Sequence, residues 1–102
     1  MKRQILTVLS AAALAVASNV AVAGDAAAGK AKAGMCAGCH GANGIGNAPA
    51  NPNLAGQKAQ YLEAQIKAFR DGTRKNATMN AMAKNLTDAD AANIAAYYSS
   101  LK

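Results

Sequence analysis

Large apolar side chains recur at helical spacing in two parts of the chain. In the first part, Lys58–Asp71, they fall at positions i, i+4 and i+7, which predicts a helix that ends at Gly72. Its stripe consists of Leu62, Ile66 and Phe69, with Tyr61 beside them. The second predicted helix begins at Thr87, with Asp88 and Asp90 in its first turn, an arrangement close to a capping box. Its stripe consists of Ile94, Tyr97, Tyr98 and Leu101.

The rest of the chain, apart from its first residues, divides into one weaker helix and two loops. Asp25–Met35 is rich in alanine and can be capped by Asp25, so it predicts a helix. Gly29 and Gly34 weaken this helix, and they indicate either a close approach by a neighbouring helix, for which Gly29 is the candidate, or simply a poor helix. Gly41–Gly56 contains four glycines and two prolines, which indicates an irregular loop. Thr73–Asn85 is polar and is also predicted to be a loop. Since no segment alternates apolar and polar residues as a strand does, the expected fold class is all-α, in one domain.

The first residues of the chain have the pattern of an export signal. A short basic start is followed by a mostly apolar run, Ile5–Ala17, and Ala21–Ala23 supplies the small side chains of a cleavage site. A membrane anchor is the alternative, but this run is shorter than the ~20 residues needed to span the hydrocarbon of a bilayer. We therefore expect residues 1–23 to be a cleaved signal peptide. Residues 24–102 are then the exported domain, located in the periplasm, with no membrane span.

The exported part of the chain is short of large apolar side chains. The whole sequence contains 28 alanines, and residues 24–102 contain only 14 Ile, Leu, Met, Phe and Tyr residues together and no valine. A domain of this size is marginally stable even with an ordinary core, and it usually needs a disulfide, a metal or another group to hold it together. The composition therefore predicts that something other than side chains fills the interior.

The charge of the chain disfavours one class of partner and permits another. Without Lys2 and Arg3, nine basic and five acidic side chains remain, a net charge of +4. The basic residues are dispersed along the chain and the four aromatic residues do not accompany them, which argues against nucleic-acid binding. The excess of positive charge still permits electrostatic steering toward an acidic partner protein.

One short motif, Cys36-Ala37-Gly38-Cys39-His40, contains both cysteines and the only histidine. It is the sequence of covalent c-type haem attachment, in which both thiols add to vinyl groups along one porphyrin edge and the next residue supplies the proximal imidazole. A thioredoxin-like thiol pair would need strands that the chain does not predict. A structural zinc site would need a fourth ligand, and a local disulfide would stabilise little. We therefore expect one haem c, held by Cys36 and Cys39, with His40 on the iron.

The second axial ligand of the iron has three possible interpretations. His40 is the only histidine, so two histidines of one chain cannot both bind the iron. Two methionines, Met79 and Met82, lie in the predicted loop Thr73–Asn85, from which a thioether can reach the opposite face of the haem. Such His/Met ligation raises the reduction potential. The two remaining interpretations are another residue and a vacant sixth position, the latter as in haem proteins that sense gases.

The motif and the segments around it resemble the small monohaem class I cytochromes c of bacteria and the single domains of their di-haem relatives. The likeness covers essentially all of residues 24–102. The matching segments are Ala28-Gly29-Lys30, Cys36–His40, Pro52–Gln57, Met79–Met82, Leu86–Asp88 and Ile94–Tyr98. The attachment motif is specific for haem, and its order relative to the methionine segment is specific for class I. The other segments are individually weak.

This resemblance implies a fold and a set of residue roles. The fold is that of class I cytochromes c, with three to five short helices around one covalently attached haem and the first and last helices packed across each other. Met79 is implied as the sixth ligand, with Met82 as the alternative sulfur, otherwise packing against the porphyrin edge. The carbonyl of Pro52 is implied as the acceptor for the other N–H of His40. Leu54 is implied as a side chain that lines the haem.

The function expected from these features is one-electron transfer between exported or membrane-bound redox proteins. The chain offers no constellation of general acid, general base or nucleophile, so no enzyme activity is expected. Two other functions stay open: a dedicated haem subunit of a dehydrogenase or oxidase complex, and a haem-free thiol oxidoreductase. The partners are expected to be electron donors and acceptors that dock partly through charge. The chain itself is expected to be a monomer or a weak dimer.

Overall fold

Five helices joined by loops make up the architecture. The computed structural model describes residues 24–101, and the predicted signal peptide, residues 1–23, lies outside the described residues. The helices are α1 (Ala26–Lys32), α2 (Gly34–His40), α3 (Ala59–Asp71), α4 (Ala77–Ala83) and α5 (Asp88–Ser100). None of these five is long and apolar enough to cross a membrane. The described part of the chain contains no strand, so the all-α fold class with three to five short helices is confirmed.

The first and last helices pack against each other, as the resemblance implies. Asp25 caps α1, because its side chain accepts hydrogen bonds from the N–H groups of Ala27 and Ala28 at 2.9 and 3.3 Å. The N–H of Asp25 in turn donates to the side chain of Asn93 on α5 at 2.8 Å. Gly29 lies at the contact: a Cβ built there would be 1.9 Å from the carbonyl oxygen of Asn93. The two backbones can approach this closely only because residue 29 has no side chain.

The alanine-rich segment forms two helices and not the single helix predicted for Asp25–Met35, so that prediction is wrong in its extent. α1 ends at Lys32, and Ala33 (φ −74°, ψ −1°) turns the backbone before α2 begins. Ala33 is buried, so the turn places its methyl group in the core. α2 then carries the whole of Cys36–His40, and helical geometry fixes how the side chains of the motif are arranged.

The helix predicted over Lys58–Asp71 is confirmed as α3. From its predicted stripe Leu62 is buried, and Ile66 and Phe69 are half-buried against the same core. The helix ends at Gly72, which adopts the left-handed conformation (φ 82°) that favours glycine. α3 therefore presents one apolar face to the interior, as its period predicts.

The segment Thr73–Asn85, predicted to be a loop, contains α4, so that prediction is wrong. Asn76 supplies the N-cap of α4, because its side-chain oxygen accepts a hydrogen bond from the N–H of Met79 at 3.0 Å. A helix of seven residues is too short for an apolar period to show in the sequence. The one feature of the sequence that could have predicted α4 is Asn76, a residue type that favours the N-cap position. Both methionines thus lie on one helix, three residues apart and on neighbouring positions of its surface.

The last helix, α5, begins as predicted. Thr87 and Asp90 form a capping box, in which each side chain accepts a hydrogen bond from the other's backbone N–H at 3.0 Å. Ile94 and Tyr98 of the predicted stripe are the largest fully buried side chains of the described residues. This helix contacts both α1 and α3, so it forms the centre of the packing.

Candidate haem site

The two cysteines and the histidine of the motif are presented by one short helix, α2. Cys36 and His40 are four residues apart and therefore lie on the same helix face, with Cys39 next to His40 in sequence. Cys36 is half-buried and Cys39 is exposed, and both thiols are free. His40 is 9% exposed, and within residues 24–101 it is the only polar or charged residue that is buried.

A single hydrogen bond fixes the orientation and the tautomer of His40. Its Nδ1 lies 2.8 Å from the carbonyl oxygen of Pro52. Because a carbonyl oxygen can only accept, Nδ1 is the donor, and in the neutral imidazole Nε2 keeps a free electron pair. This contact is the one that the resemblance implies for these two residues. It leaves Nε2 as the atom that can bind iron.

The loop between α2 and α3 is folded back on the end of the motif helix. The backbone N–H of Asn47 donates to the carbonyl of Cys39 at 3.1 Å, and the side chain of Asn47 donates to the carbonyl of Gly38 at 2.7 Å. Further along, the N–H of Gly46 donates to the side chain of Asn53 at 2.8 Å. Asn47 is not identifiable as a site residue from the sequence, since an asparagine in a glycine-rich loop gives no sign of which carbonyl it will meet.

An apolar cleft opens beside the motif helix. Its lining consists of Met35, Cys36, Ile66, Met79, Met82, Ala83, Leu86 and Ile94. The structure therefore brings the first cysteine of the motif and both candidate methionines to the same cavity. Met79 is half-buried there, whereas Met82 is 38% exposed.

Four of the predicted site residues lie outside the lining of this cleft, namely Cys39, His40, Pro52 and Leu54. Leu54 is half-buried and packs against the hydrophobic core. Pro52 is exposed, and its carbonyl oxygen accepts the hydrogen bond from His40. The predicted residues thus form two groups. Cys36, Met79 and Met82 line the cleft, whereas Pro52 contacts the imidazole of His40. The two groups are connected by α2, which carries both Cys36 and His40.

Buried groups beside the motif are held neutral. Burial raises the pKa of Tyr98 to about 12, with smaller contributions from the neighbouring Cys36 and Tyr97. Burial also raises the pKa of the Cys36 thiol, an effect that a hydrogen bond with Tyr98 partly offsets. A thiol that works as a redox nucleophile needs a lowered pKa. The environment of Cys36 therefore argues against a haem-free thiol oxidoreductase.

The donor set fits a covalently attached haem. Within residues 24–101, no three His, Cys, Asp or Glu side chains come together as they would around a bare metal ion. The site instead combines two free thiols, an imidazole nitrogen with a free electron pair, two thioethers and an apolar cavity. These groups are the ones that bind a haem and its iron.

An all-helical domain in which a Cys-x-x-Cys-His helix borders a methionine-lined cleft defines a class of protein, the electron-transfer proteins that attach haem covalently. Residues 26–102 match the cytochrome c family, and the chain belongs to that family. It is therefore a cytochrome c electron carrier.

Relatives and solved structures agree with this membership. The chain is 60% identical over 81 residues to cytochrome c-554(548) of Halomonas halodenitrificans, a match that covers 76% of this chain and 98% of that protein. It is 50% identical over 72 residues to a thiosulfate dehydrogenase electron acceptor of Thiomonas intermedia, covering 70% of this chain and 33% of that protein. Reduced recombinant cytochrome c4 from Pseudomonas stutzeri superposes with a TM-score of 0.74 at 42% identity, over 78% of this chain and 47% of that one. The likeness to this structure confirms the class I cytochrome c fold, although the chain spans only part of the two longer proteins.

Proposed function

We propose that the chain is a one-electron carrier with a single haem c, in which His40 and Met79 are the axial ligands. The haem, when bound, supplies an iron that alternates between Fe(III) and Fe(II). The observation that carries the proposal is the cleft, because Cys36 of the attachment motif and Met79 line one apolar cavity although they are 43 positions apart in the sequence. One haem for each chain follows from the single Cys-x-x-Cys-His motif.

Each residue of the site has a separate task in this proposal. Cys36 and Cys39 would hold the porphyrin through thioether bonds, and His40 would bind the iron through Nε2. The carbonyl of Pro52 holds the imidazole in one orientation, which would keep small the movement of the protein that accompanies electron transfer. Leu54, two residues further along the same loop, stays a predicted neighbour of the haem.

Met79 is favoured over Met82 by its surroundings. It is the more buried of the two, and its backbone N–H donates to the N-cap residue Asn76 at 3.0 Å. Met82 lies in the last turn of α4 and is 38% exposed. A sulfur on a fixed and partly buried backbone loses less freedom when it binds iron. Met82 is then left to pack against the porphyrin edge.

The proposal extends to the location and the partners of the chain. We expect removal of residues 1–23 during export to the periplasm, where the domain would exchange electrons with other redox proteins and have no catalytic activity of its own. With a net charge of +4 on residues 24–102, encounter with a partner of acidic surface should be fast and sensitive to salt.

A second candidate function is that of a haem subunit in a dehydrogenase complex. The observation in its favour is the likeness to the thiosulfate dehydrogenase electron acceptor, of which this chain covers 33%. Size-exclusion chromatography of native extract distinguishes the two functions. A free carrier elutes at the mass of one or two chains, whereas a subunit elutes with its larger partner.

Substitution of the two methionines tests the ligand assignment. In the oxidised holoprotein, Met79→Ala should abolish the weak near-red charge-transfer band of methionine bound to Fe(III), because it removes the sulfur that binds the iron. Met82→Ala is the matched control and should keep the band. The reverse pattern would identify Met82 as the ligand, and purified protein without covalently retained haem would refute the whole proposal.

A further inference from the structure

Two asparagines hold the backbone on either side of Met79. Asn76 lies three residues before Met79 and accepts its N–H at 3.0 Å. Asn80 follows Met79 directly, and its half-buried side chain makes three hydrogen bonds. We refer to Asn76 and Asn80 together as the asparagine clamp. The proposed ligand therefore sits between two residues whose side chains are already engaged.

The side-chain amide of Asn80 connects three segments of the chain. Its Oδ1 accepts a hydrogen bond from the N–H of Asn76 at 2.9 Å. Its Nδ2 donates to the carbonyl oxygens of Phe69 and Arg74 at 2.8 and 2.9 Å. These partners belong to the N-cap of α4, the last turn of α3 and the turn between the two helices. One acceptor oxygen and two N–H groups on one short side chain satisfy all three partners at once.

The two carbonyls that Asn80 contacts are themselves held in place. The backbone N–H of Arg74 donates to the carbonyl of Ala68 at 3.1 Å. The guanidinium group of Arg74 donates to the side chain of Gln65 at 2.7 Å and lies 4.6 Å from the centroid of the Phe69 ring. The turn after α3 is thus tied to that helix by backbone and side chain, so Asn80 attaches α4 to a rigid support.

The clamp residues lie at the N-cap and in the middle of α4. Met79 is in the first turn, between the two asparagines, whereas Met82 lies in the last turn, beyond the clamp residues. Both sulfurs border the same cleft, so proximity to the cavity does not distinguish them. The asparagine clamp does distinguish them, because its side-chain hydrogen bonds are made by Met79 itself and by its neighbour Asn80, and none of them involves Met82.

We propose that Asn80 and Asn76 are positioning residues that together hold Met79 in place in the folded protein and thereby select Met79 over Met82 as the sixth ligand. This inference rests on the proposed function, in which Met79 binds the iron. A ligand that the protein already holds in position needs little ordering when it binds, so its bond opens less often. Without the clamp, α4 can shift, and the iron–sulfur bond becomes easier to displace.

Displacement of the sulfur by imidazole measures this effect directly. Asn80→Asp keeps the size and the acceptor oxygen of the side chain but replaces both N–H donors by an oxygen that faces two carbonyls. Asn85→Asp introduces the same charge at an exposed asparagine beyond α4 and serves as the matched control. In the Fe(III) holoprotein we expect added imidazole to abolish the near-red methionine band about tenfold faster in N80D than in the wild type. The rate for N85D should stay within about twofold of the wild type.

A role of Asn80 in stability alone would give a different result. If N80D unfolds at lower urea concentration by circular dichroism, yet imidazole enters at the wild-type rate, the positioning role is wrong. If N80D does not fold, Asn76→Ala and Asn76→Asp replace it, since aspartate keeps the oxygen that caps α4 and alanine does not. Faster displacement in N76A with a near wild-type rate in N76D supports the clamp, and equal rates in both contradict it.

The failure of this inference and the failure of the proposed function can be told apart. If Met79→Ala keeps the near-red band in an otherwise wild-type chain, Met79 is not the ligand. The proposed function is then wrong in its ligand, and the positioning role of Asn80 is wrong with it. If Met79→Ala abolishes the band but N80D leaves the imidazole rate unchanged, only the clamp is wrong. The double variant Asn80→Asp, Met82→Ala tests the selection between the two sulfurs. If it lacks the near-red band, Met82 is the ligand in N80D, and Asn80 therefore selects Met79 in the wild type.

Discussion

At the scale of single residues, His40 is prepared for its proposed role by an acceptor that does not titrate. The partner of its Nδ1 is the backbone carbonyl of Pro52, at 2.8 Å, and not a carboxylate. A carboxylate would gain or lose charge with pH and would change the donor strength of the imidazole with it. A carbonyl carries no charge that pH could change, so it stays an acceptor for the N–H at Nδ1. The proposed iron ligand is therefore held constant while the iron changes its oxidation state.

Tyr98 gives a prediction with a defined direction in pH. Burial raises the pKa of its phenol to about 12, above the ordinary value of about 10. The neutral phenol therefore stabilises the folded state fully below about pH 10, and this stabilisation is lost as pH rises toward 12, because the unfolded chain releases the proton first. We expect the holoprotein to lose on the order of 1.4 kcal/mol of unfolding free energy per pH unit from this group in that window. Tyr98→Phe should remove this loss.

Urea titrations of the holoprotein at neutral pH and at about pH 11 check this prediction. Tyr61→Phe is the control, since Tyr61 is 47% exposed and should leave the alkaline loss of stability unchanged. The same alkaline loss in Y98F as in the wild type would show that another group is responsible.

At the scale of helices, the contact between α1 and α5 depends on one missing side chain. A Cβ at Gly29 would lie 1.9 Å from the carbonyl oxygen of Asn93, so Gly29→Ala forces the two helices apart. We expect this substitution to lower the unfolding free energy by about 3 kcal/mol, as overpacking does in other cores. Gly34→Ala is the matched control, because nothing lies within 4 Å of a Cβ at that position and alanine favours helix. Urea unfolding of both holoproteins measures the difference, and equal stabilities would contradict the proposed close contact.

The two helices that the sequence predicts correctly are those that combine a long apolar stripe with a recognisable terminus. α3 and α5 have both a stripe of large residues and a recognisable terminus, Gly72 for α3 and Thr87 for α5. α4 has an N-cap, Asn76, but no long apolar stripe, and Asn80, one of the residues that hold it, acts through carbonyls of α3 and of the turn after it. The turn at Ala33 is not predictable from the sequence for a similar reason. Its methyl group packs in the core against residues that are distant in sequence, and an alanine in an alanine-rich segment gives no sign of this contact. Contacts between distant segments are what the sequence pattern does not contain.

The residues of the candidate site also differ in whether the sequence alone identifies them. Cysteine, histidine and methionine are rare in this chain and carry specific chemistry, so spacing and resemblance are enough to single out Cys36, His40 and Met79. Asparagine is common in its loops, and each asparagine has several possible partners. Asn47 and Asn80 therefore become recognisable only when the fold shows which carbonyls they meet.

At the scale of the whole molecule, the core made by the protein itself is small. The buried hydrophobic residues of the described chain are Ala33, Leu62, Ala83, Leu86, Ala91, Ile94, Ala95 and Tyr98. Four of these eight are alanines, which bury little apolar area on folding. Around the cleft, Met35 and Met82 remain 40% and 38% exposed. The molecule thus keeps large apolar side chains at the surface of a cavity that the proposed haem would cover.

This arrangement predicts that the chain needs its haem in order to fold. Four large buried side chains cannot offset the conformational entropy of some eighty residues, whereas a haem in the cleft would bury the methionines and link α2 to α4. We expect a Cys36→Ala, Cys39→Ala double variant produced without haem to show weak helical circular dichroism and no cooperative thermal transition. The wild-type holoprotein, treated in parallel, should melt cooperatively. A haem-free chain that is compact and melts in one sharp transition would show that the alanine-rich core is sufficient for folding. The haem would then bind to a fold that forms without it.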